Sequence, residues 1–326
     1  MDKASPLLSI VATSYSADRL EDIFRLLDSI KGQTYQNIEM VFVAEGSTEL
    51  YNGVKTYAQG KAVPAVRVVF NQMEPGASAS RNIGIRQANG ELIALVDDDV
   101  QLFPDWAEEM VKTYADDSII GVTGPAFPRW EDESMSWFPD EFSWLWGGTQ
   151  WGNWGDEIRE IRNVGGMNCS FRREGFEKAG GYLTSLKTLQ EGGWFQPTGE
   201  EVEFSLRVKK VTGKRIVFNP KVRVYHRVYK ERFRTRVIAK RAFRMGYLRH
   251  MAKSIYGDKK EVEAGSRAEH TLLKRIFTRL LPDILKTFFR HPIIAWRKLS
   301  VSIIAILFTS LGYLMYFFKP FQPEKA

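Results

Sequence analysis

Apolar and polar positions along the first hundred residues separate into short runs and helical stripes. "LLSIVATS" (7–14) is an apolar run of strand length. "DRLEDIFRLLDSIKG" (18–32) puts Leu20, Ile23, Phe24, Leu27 and Ile30 on one helical face, with Asp18 set to cap it, Glu21 completing a capping-box spacing and Gly32 ending it. "IEMVFVAEG" (38–46) predicts a buried strand and "AVRVVFN" (65–71) another. A helix over "SASRNIGIRQANG" (78–90) and a strand over "ELIALV" (91–96) follow. Strands separated by helices predict parallel pairing in a doubly wound α/β sheet.

Ligands of such sheets bind beyond the carboxyl ends of the strands. Three polar clusters fall there: "ATSYS" (12–16), "AEGST" (44–48) and "DDDV" (97–100). Adjacent carboxylates repel, so Asp97, Asp98 and Asp99 need a reason to stand together. A solvated turn is the plain reading. A calcium loop would use Asp97, Asp99, Gln101 and Glu108, but Leu102 stands where the sharp turn needs glycine, and a strand precedes it. A divalent cation, Mg²⁺ or Mn²⁺, bridging carboxylate and substrate diphosphate explains both the trio and its place at a strand end.

Beyond Gly124 the pattern loosens, with six tryptophans between Trp130 and Trp154. "TGEEVEFSLRVKKVTGKRIVFNPKVRVYHR" (198–227) predicts a helix after Gly199 and strands up to His226. The net charge of +7 is uneven: Lys230 to Lys298 holds 19 Lys and Arg against 6 Asp and Glu, leaving an acidic body. That basic, helix-patterned segment calls for a polyanion or an anionic surface. Nucleic acid is not expected as a partner, because the aromatics form no RNA-binding motif and the body is acidic.

Val301 to Phe318 is 18 residues without charge, about 27 Å of helix against a hydrocarbon core of about 30 Å. A core helix would not be apolar on every face. Arg297 and Lys298 before it, Lys319 after it, and Tyr313 and Tyr316 near its end suit a single membrane span. The basic N-terminal flank places the body on the cytoplasmic side of the cell membrane. Cys169 is the sole cysteine, so no intrachain disulfide forms. The first residues have too little apolar length for a signal peptide.

Taken in order, the motifs resemble the inverting family 2 glycosyltransferases of GT-A fold. "SIVATSYSADRLEDIFRLLDSIKGQTYQNIEMVFVAEGSTE" is similar to their opening block, and "GASASRNIGIRQANGELIALVDDDVQLFPDW" to the block ending in Asp-x-Asp. "GGMNCSFRREGFEKAGGY" resembles their acceptor-side block, and "GEEVEFSLRVKKVTGKRIVFNPKVRVYH" the one bearing the catalytic carboxylate. The likeness runs from about Leu7 to His226.

The resemblance implies a metal-dependent inverting transfer from a nucleoside-diphosphate sugar, UDP above GDP. Thr13, Tyr15 and Glu45 would face the nucleoside, with Arg81 near the nucleotide and Asp97 and Asp98 near ribose or donor sugar. Asp99, with Asp97 and His226, would hold Mn²⁺ or Mg²⁺. Glu201 would be the general base and Glu200 the runner-up. Glu45 and Val100 stand where the family usually has Asp.

Gly166 and Asn168 would lie on the acceptor side. Because sugars stack on indoles, Trp151, Trp154 and Trp194 join them, and "LQEGGWFQPTGEE" (189–201) reads as a mobile flap. The expected layout is a catalytic domain over 1–229, a basic membrane-proximal region over 230–299, a span over 300–319 and a tail over 320–326.

A basic collar beside a span suggests anionic membrane lipids as partners and a lipid-linked or polyprenyl-phosphate acceptor. A polyprenyl- or dolichyl-phosphate monoglycosyl synthase would use the same blocks. A processive synthase would need a Gln-x-x-Arg-Trp motif that "AKRAFRMGY" lacks. A nucleotidyltransferase would leave the Glu pair unexplained. A basic, membrane-anchored nucleic-acid-binding protein is the reading from another class.

Overall fold

The apolar run after Leu7 becomes β1 (Leu8–Ser14), which pairs in parallel with β2 (Ile38–Glu45) on one side and β4 (Leu92–Asp97) on the other. β3 (Val66–Asn71) lies beyond β2, also parallel. Both faces of β1, β2 and β4 are covered, so their sequences are continuous apolar runs. The computed structural model describes residues 5–61, 65–72, 75–152, 154–188, 193–196, 198–256 and 270–321.

Helices α1 (Leu20–Lys31), α2 (Thr48–Gly60) and α3 (Ala77–Gln87) connect these strands. α1 buries Ile23, Leu26, Leu27 and Ile30, and each such side chain contributes roughly 1.5–3 kcal/mol. Its start differs from the capping-box expectation. Asp18 lies inside a 3₁₀ turn, Ala17–Arg19, whose cap is the Ser16 hydroxyl accepting from the Asp18 N–H. The extra turn moves the α-helix start one residue on, to Leu20, with Arg19 at the cap position.

β5 (Val100–Leu102) and α4 (Trp106–Thr113) follow the aspartates, then β6 (Ile119–Thr123) and β7 (Ala126–Trp130). β8 (Arg159–Ile161), β9 (Asn168–Arg172), α5 (Arg173–Ala179), α6 (Glu200–Thr212), β10 (Arg215–Phe218) and β11 (Val224–Val228) complete the α/β part. The main sheet has the order β3-β2-β1-β4-β9-β6-β10-β8, with β9 antiparallel to β4 and β6. A smaller sheet has the order β5-β11-β7.

The chain forms two compact units. The first comprises Met1–Phe127, Trp154–Thr184 and Glu200–His226 and contains the main sheet. The second comprises Pro128–Asn153, Ser185–Gly199 and Arg227–Ala326. Its core gathers Phe138 before the 3₁₀ turn Asp140–Leu145, Phe142 and Leu145 within it and Trp146 just after it, against Ile238 and Ala242 of α7 (Thr235–Tyr256) and Ala295, Val301 and Ala305 of the C-terminal helix, Pro292–Phe318. A helix over Leu281–Arg290 precedes that last one. By length and composition the C-terminal helix is able to cross a membrane. Of the stretch expected to form a flap, residues 189–192 and 197 lie outside the described residues.

Candidate active site

The strand order reverses at β1: β2 and β3 lie to one side and β4 to the other. A ligand crevice opens at such a switch point, and there Thr13 of β1 is in register with Asp97 of β4. Thr13 is half-buried, and Tyr15, in the loop beyond, is 67% exposed. Asp98 and Asp99 form the turn into β5. Because β11 runs antiparallel to β5, with His226 opposite Val100, a residue more than a hundred positions away arrives beside the trio.

Asp99 is 3% exposed and lies between two bases. Arg19 Nη1 is 3.0 Å from its Oδ2, and His226 Nε2 is 3.1 Å from its Oδ1. The same Arg19 nitrogen is 3.7 Å from Asp98 Oδ1. Burial above all, then the neighbouring Asp99 charge, pushes the Asp98 carboxyl up to about 7 against the opposing pull of Arg19.

One ligand atom from each of Asp97, Asp99 and His226 lies within 4.8 Å of the others. Two carboxylates and an imidazole suit Mn²⁺; a site of oxygens alone would suit Mg²⁺ better. The residues therefore fit a divalent cation.

The glutamate pair reaches the same rim from elsewhere in the first unit. β9 runs antiparallel to β4, with Asn168 opposite Val96, so the Gly165–Gly166 turn before it sits at the carboxyl end of β4. Glu200 and Glu201 open α6, where the helix dipole favours anions. Arg81, in α3 and 7% exposed, ties the groups together. Its Nη2 is 3.1 Å from Asp97 Oδ1, and its Nη1 is 2.9 Å from Glu200 Oε1 and 3.6 Å from Glu201 Oε1.

Glu200 is fully buried, and burial followed by the Glu201 charge raises its carboxyl well above the usual range despite Arg81. Glu201 keeps 21% of its side chain exposed. A Cβ on Gly166 would stand 2.0 Å from Glu201 Oε1, so only glycine leaves room for that carboxylate.

Other expected residues are held differently. Both oxygens of Glu45 are engaged, one by the Gly76 N–H at 2.8 Å and one by the Ser80 hydroxyl at 2.9 Å, at the start of α3. Gly76 takes φ 118° there, a conformation suited to glycine. The Asn168 side chain, expected on the acceptor side, is engaged within the sheet. It is fully buried, accepts from the Trp106 indole at 2.8 Å and donates to Val222 O at 2.8 Å. β9 carries it into the core between β4 and β6.

Trp151 and Trp194 belong to the second unit: Trp151 packs on its core, and Trp194 meets the rings of Phe243 and Phe308. Trp154, in the first unit, stacks on Phe218 at 4.8 Å. Arg19 was not anticipated. It lies in the polar stretch after β1, but its partners are about 80 residues away and no local spacing signals them.

Residues 9–180 match the family described as Glycosyl transferase family 2. The glucosyl-dolichyl phosphate glucuronosyltransferase of Haloferax volcanii is 29% identical over 323 residues, 98% of this chain and 99% of that protein. The solved mannosyltransferase PcManGT of Pyrobaculum calidifontis, in complex with GDP-Man and Mn²⁺, superposes with a TM-score of 0.60 at 20% identity, covering 96% of this chain and 88% of its own. GalNAc-T7 with UDP, GalNAc and Mn²⁺ gives 0.54 at 17% identity, covering 87% and 58%. At those identities the two structures establish the GT-A α/β fold. The family match runs from β1 to the end of α5, over more than half the chain, and takes in the aspartate trio, Arg81 and Gly166; this chain therefore belongs to glycosyl transferase family 2 and is a glycosyltransferase.

Proposed function

We propose that the enzyme transfers a sugar, with inversion, from a UDP-sugar to a lipid-linked acceptor at the cytoplasmic face of the membrane. The observation that carries this is the Arg81 tie, which joins a cation-type cluster (Asp97, Asp99, His226) to a carboxylate pair (Glu200, Glu201) on one rim. Thr13, Tyr15 and Glu45 border the nucleoside, and Asp97 and Asp98 the ribose and donor sugar. Asp99, Asp97 and His226 would hold Mn²⁺ or Mg²⁺, which when bound would offset charge on the departing diphosphate. Arg81 adds a fixed positive charge beside them.

Glu201 is the general base. It is the member of the pair that reaches solvent, while Glu200 is sealed and favours its protonated form. Its carboxylate takes the acceptor hydroxyl proton as the acceptor oxygen bonds to the anomeric carbon and the bond to diphosphate oxygen breaks. Gly166 keeps that carboxylate in place.

A lipid-linked acceptor is supported by the full-length likeness to a relative named for glucosyl-dolichyl phosphate. The outward apolar surface of the C-terminal helices supports it as well. The test incubates the full chain in membranes with Mn²⁺, labelled UDP-glucuronate, UDP-glucose or GDP-mannose, and polyprenyl phosphate either bare or carrying one sugar. Label from a UDP-sugar should enter the organic extract with the glycosylated lipid. Transfer only to bare phosphate would make the enzyme a monoglycosyl synthase, and label confined to aqueous products would overturn the lipid acceptor.

A further inference from the structure

The C-terminal helix has two unlike faces within the second unit. Its inner face is pressed on α7 along almost its whole apolar length. A Cβ on Gly312 would lie 1.8 Å from Phe243 O, and one on Gly246 1.9 Å from Thr309 O, so the two backbones touch. Toward the end of the helix, Tyr247 donates to Lys319 O at 2.8 Å, and His250 Nδ1 lies 2.8 Å from Tyr313 O.

The turns of α7 that make these contacts also carry Arg241, Arg244 and Arg249, and the first two are 7% and 1% exposed. If the C-terminal helix crossed a bilayer in this packing, α7 would bring those guanidinium groups to hydrocarbon depth. Charges there are expensive. A full crossing in this packing therefore carries that cost, and a helix lying in the interface avoids it.

The outer face is apolar and uncovered. Ile303, Leu307, Leu311 and Leu314 are 45–55% exposed at helical spacing. The apolar surface runs on through Trp296 at 59% to Leu285 at 65% and Phe289 at 85% in the preceding helix. Only His291 separates the two helices. Arg279, Lys286, Arg290 and Arg297, all exposed, are interspersed with this surface. An apolar face bordered by Lys and Arg is complementary to anionic headgroups over acyl chains.

We propose that the last two helices lie within one anionic leaflet, half-immersed, and that the protein is monotopic where the apolar pattern alone predicts a single span. The partner is the bilayer surface itself, and the idea stands whatever donor and acceptor the active site takes. Both ends of the C-terminal helix then stay on the same, cytoplasmic side of the bilayer.

Cys169 is the only cysteine and is fully buried, so one introduced thiol can be labelled by itself. Ser300→Cys and Lys319→Cys, exposed positions that flank the apolar run 301–318, are placed singly in the full chain, with Pro320→Cys as a second position should Lys319→Cys fail to accumulate. An impermeant maleimide is applied to intact cells and to inside-out membrane vesicles. Both ends should label in inside-out vesicles and neither in intact cells. Labelling of position 319 or 320 from outside the cell, with position 300 labelling only from inside, would overturn the proposal. As an independent reading, Lys286→Glu combined with Arg290→Glu should reduce flotation with phosphatidylglycerol vesicles at least about tenfold. Unchanged flotation would count against the leaflet surface.

Discussion

The aspartates closing β4 and the glutamates opening α6 are both runs of adjacent acids, yet their surroundings differ. Around the aspartates, nitrogen-bearing side chains converge from separate elements: the guanidinium of Arg19 from the turn after β1, the imidazole of His226 from β11 and the guanidinium of Arg81 from α3. The glutamates sit at a helix N-terminus, one sealed against Arg81 and the other laid over a glycine with part of its carboxylate in solvent. The first arrangement suits receiving a cation, and the second suits receiving a proton. Neighbouring acids in sequence do not announce which; the elements that approach them decide it.

The comparison breaks most sharply at Glu201. Glu201→Gln should lower kcat by roughly 10²–10⁴-fold while Mn²⁺ and UDP affinities, measured by calorimetry, stay at wild-type values. An equal loss of nucleotide binding would merge the two groups into one. Arg81→Ala should act on both, leaving Asp97 and Glu201 without their shared counter-charge and the sealed Glu200 without its hydrogen-bond donor, at a cost of about 1–3 kcal/mol in chemical denaturation. A change below about 1 kcal/mol would deny that Arg81 ties them.

Gly166→Ala should touch the glutamate side alone. Its methyl displaces Glu201, and a misplacement of about 1 Å costs on the order of 10²-fold in kcat, with metal affinity unaltered. The smallest effect is on the pH dependence of stability. The folded Glu200 carboxyl holds its proton above the unfolded value of about 4.3. The native state is therefore the more protonated one between those two values, and stability is lost as pH rises through that window. Glu200→Gln cannot ionise, so its unfolding free energy should fall less steeply above about pH 4.3. An identical slope would mean Glu200 is ionised in the fold.

Much of this was legible in the chain because it rests on local pattern. β1, β2 and β4 are apolar runs of strand length, and the α1 stripe is a 3.6-residue repeat. Asp97–Asp99 stand together in sequence, so their place at a strand end follows once the strand is found. What stayed hidden depends on distant approach. Arg19 reads as one more base near a helix start until β4 brings Asp99 against it. Asn168, in a glycine-rich stretch, reads as a ligand contact, but antiparallel pairing of β9 between two strands buries it. Trp194 carries an indole suited equally to sugar and to core, and its neighbours Phe243 and Phe308 lie more than forty residues on. The apolar run after Ser300 identified a membrane-type helix, but only the Gly246 and Gly312 contacts showed that a basic helix is pressed along it.

The central claim is that Asp97, Asp99 and His226 bind a divalent ion shared with the nucleotide diphosphate. Its most direct test is titration of Mn²⁺ into the full chain with and without UDP, with free Mn²⁺ read by electron paramagnetic resonance, for wild type and Asp99→Asn. UDP should tighten Mn²⁺ binding in the wild type, and Asp99→Asn, shown folded by circular dichroism, should lose that tightening. Mn²⁺ and UDP binding to Asp99→Asn as tightly and as cooperatively as to the wild type would contradict the account.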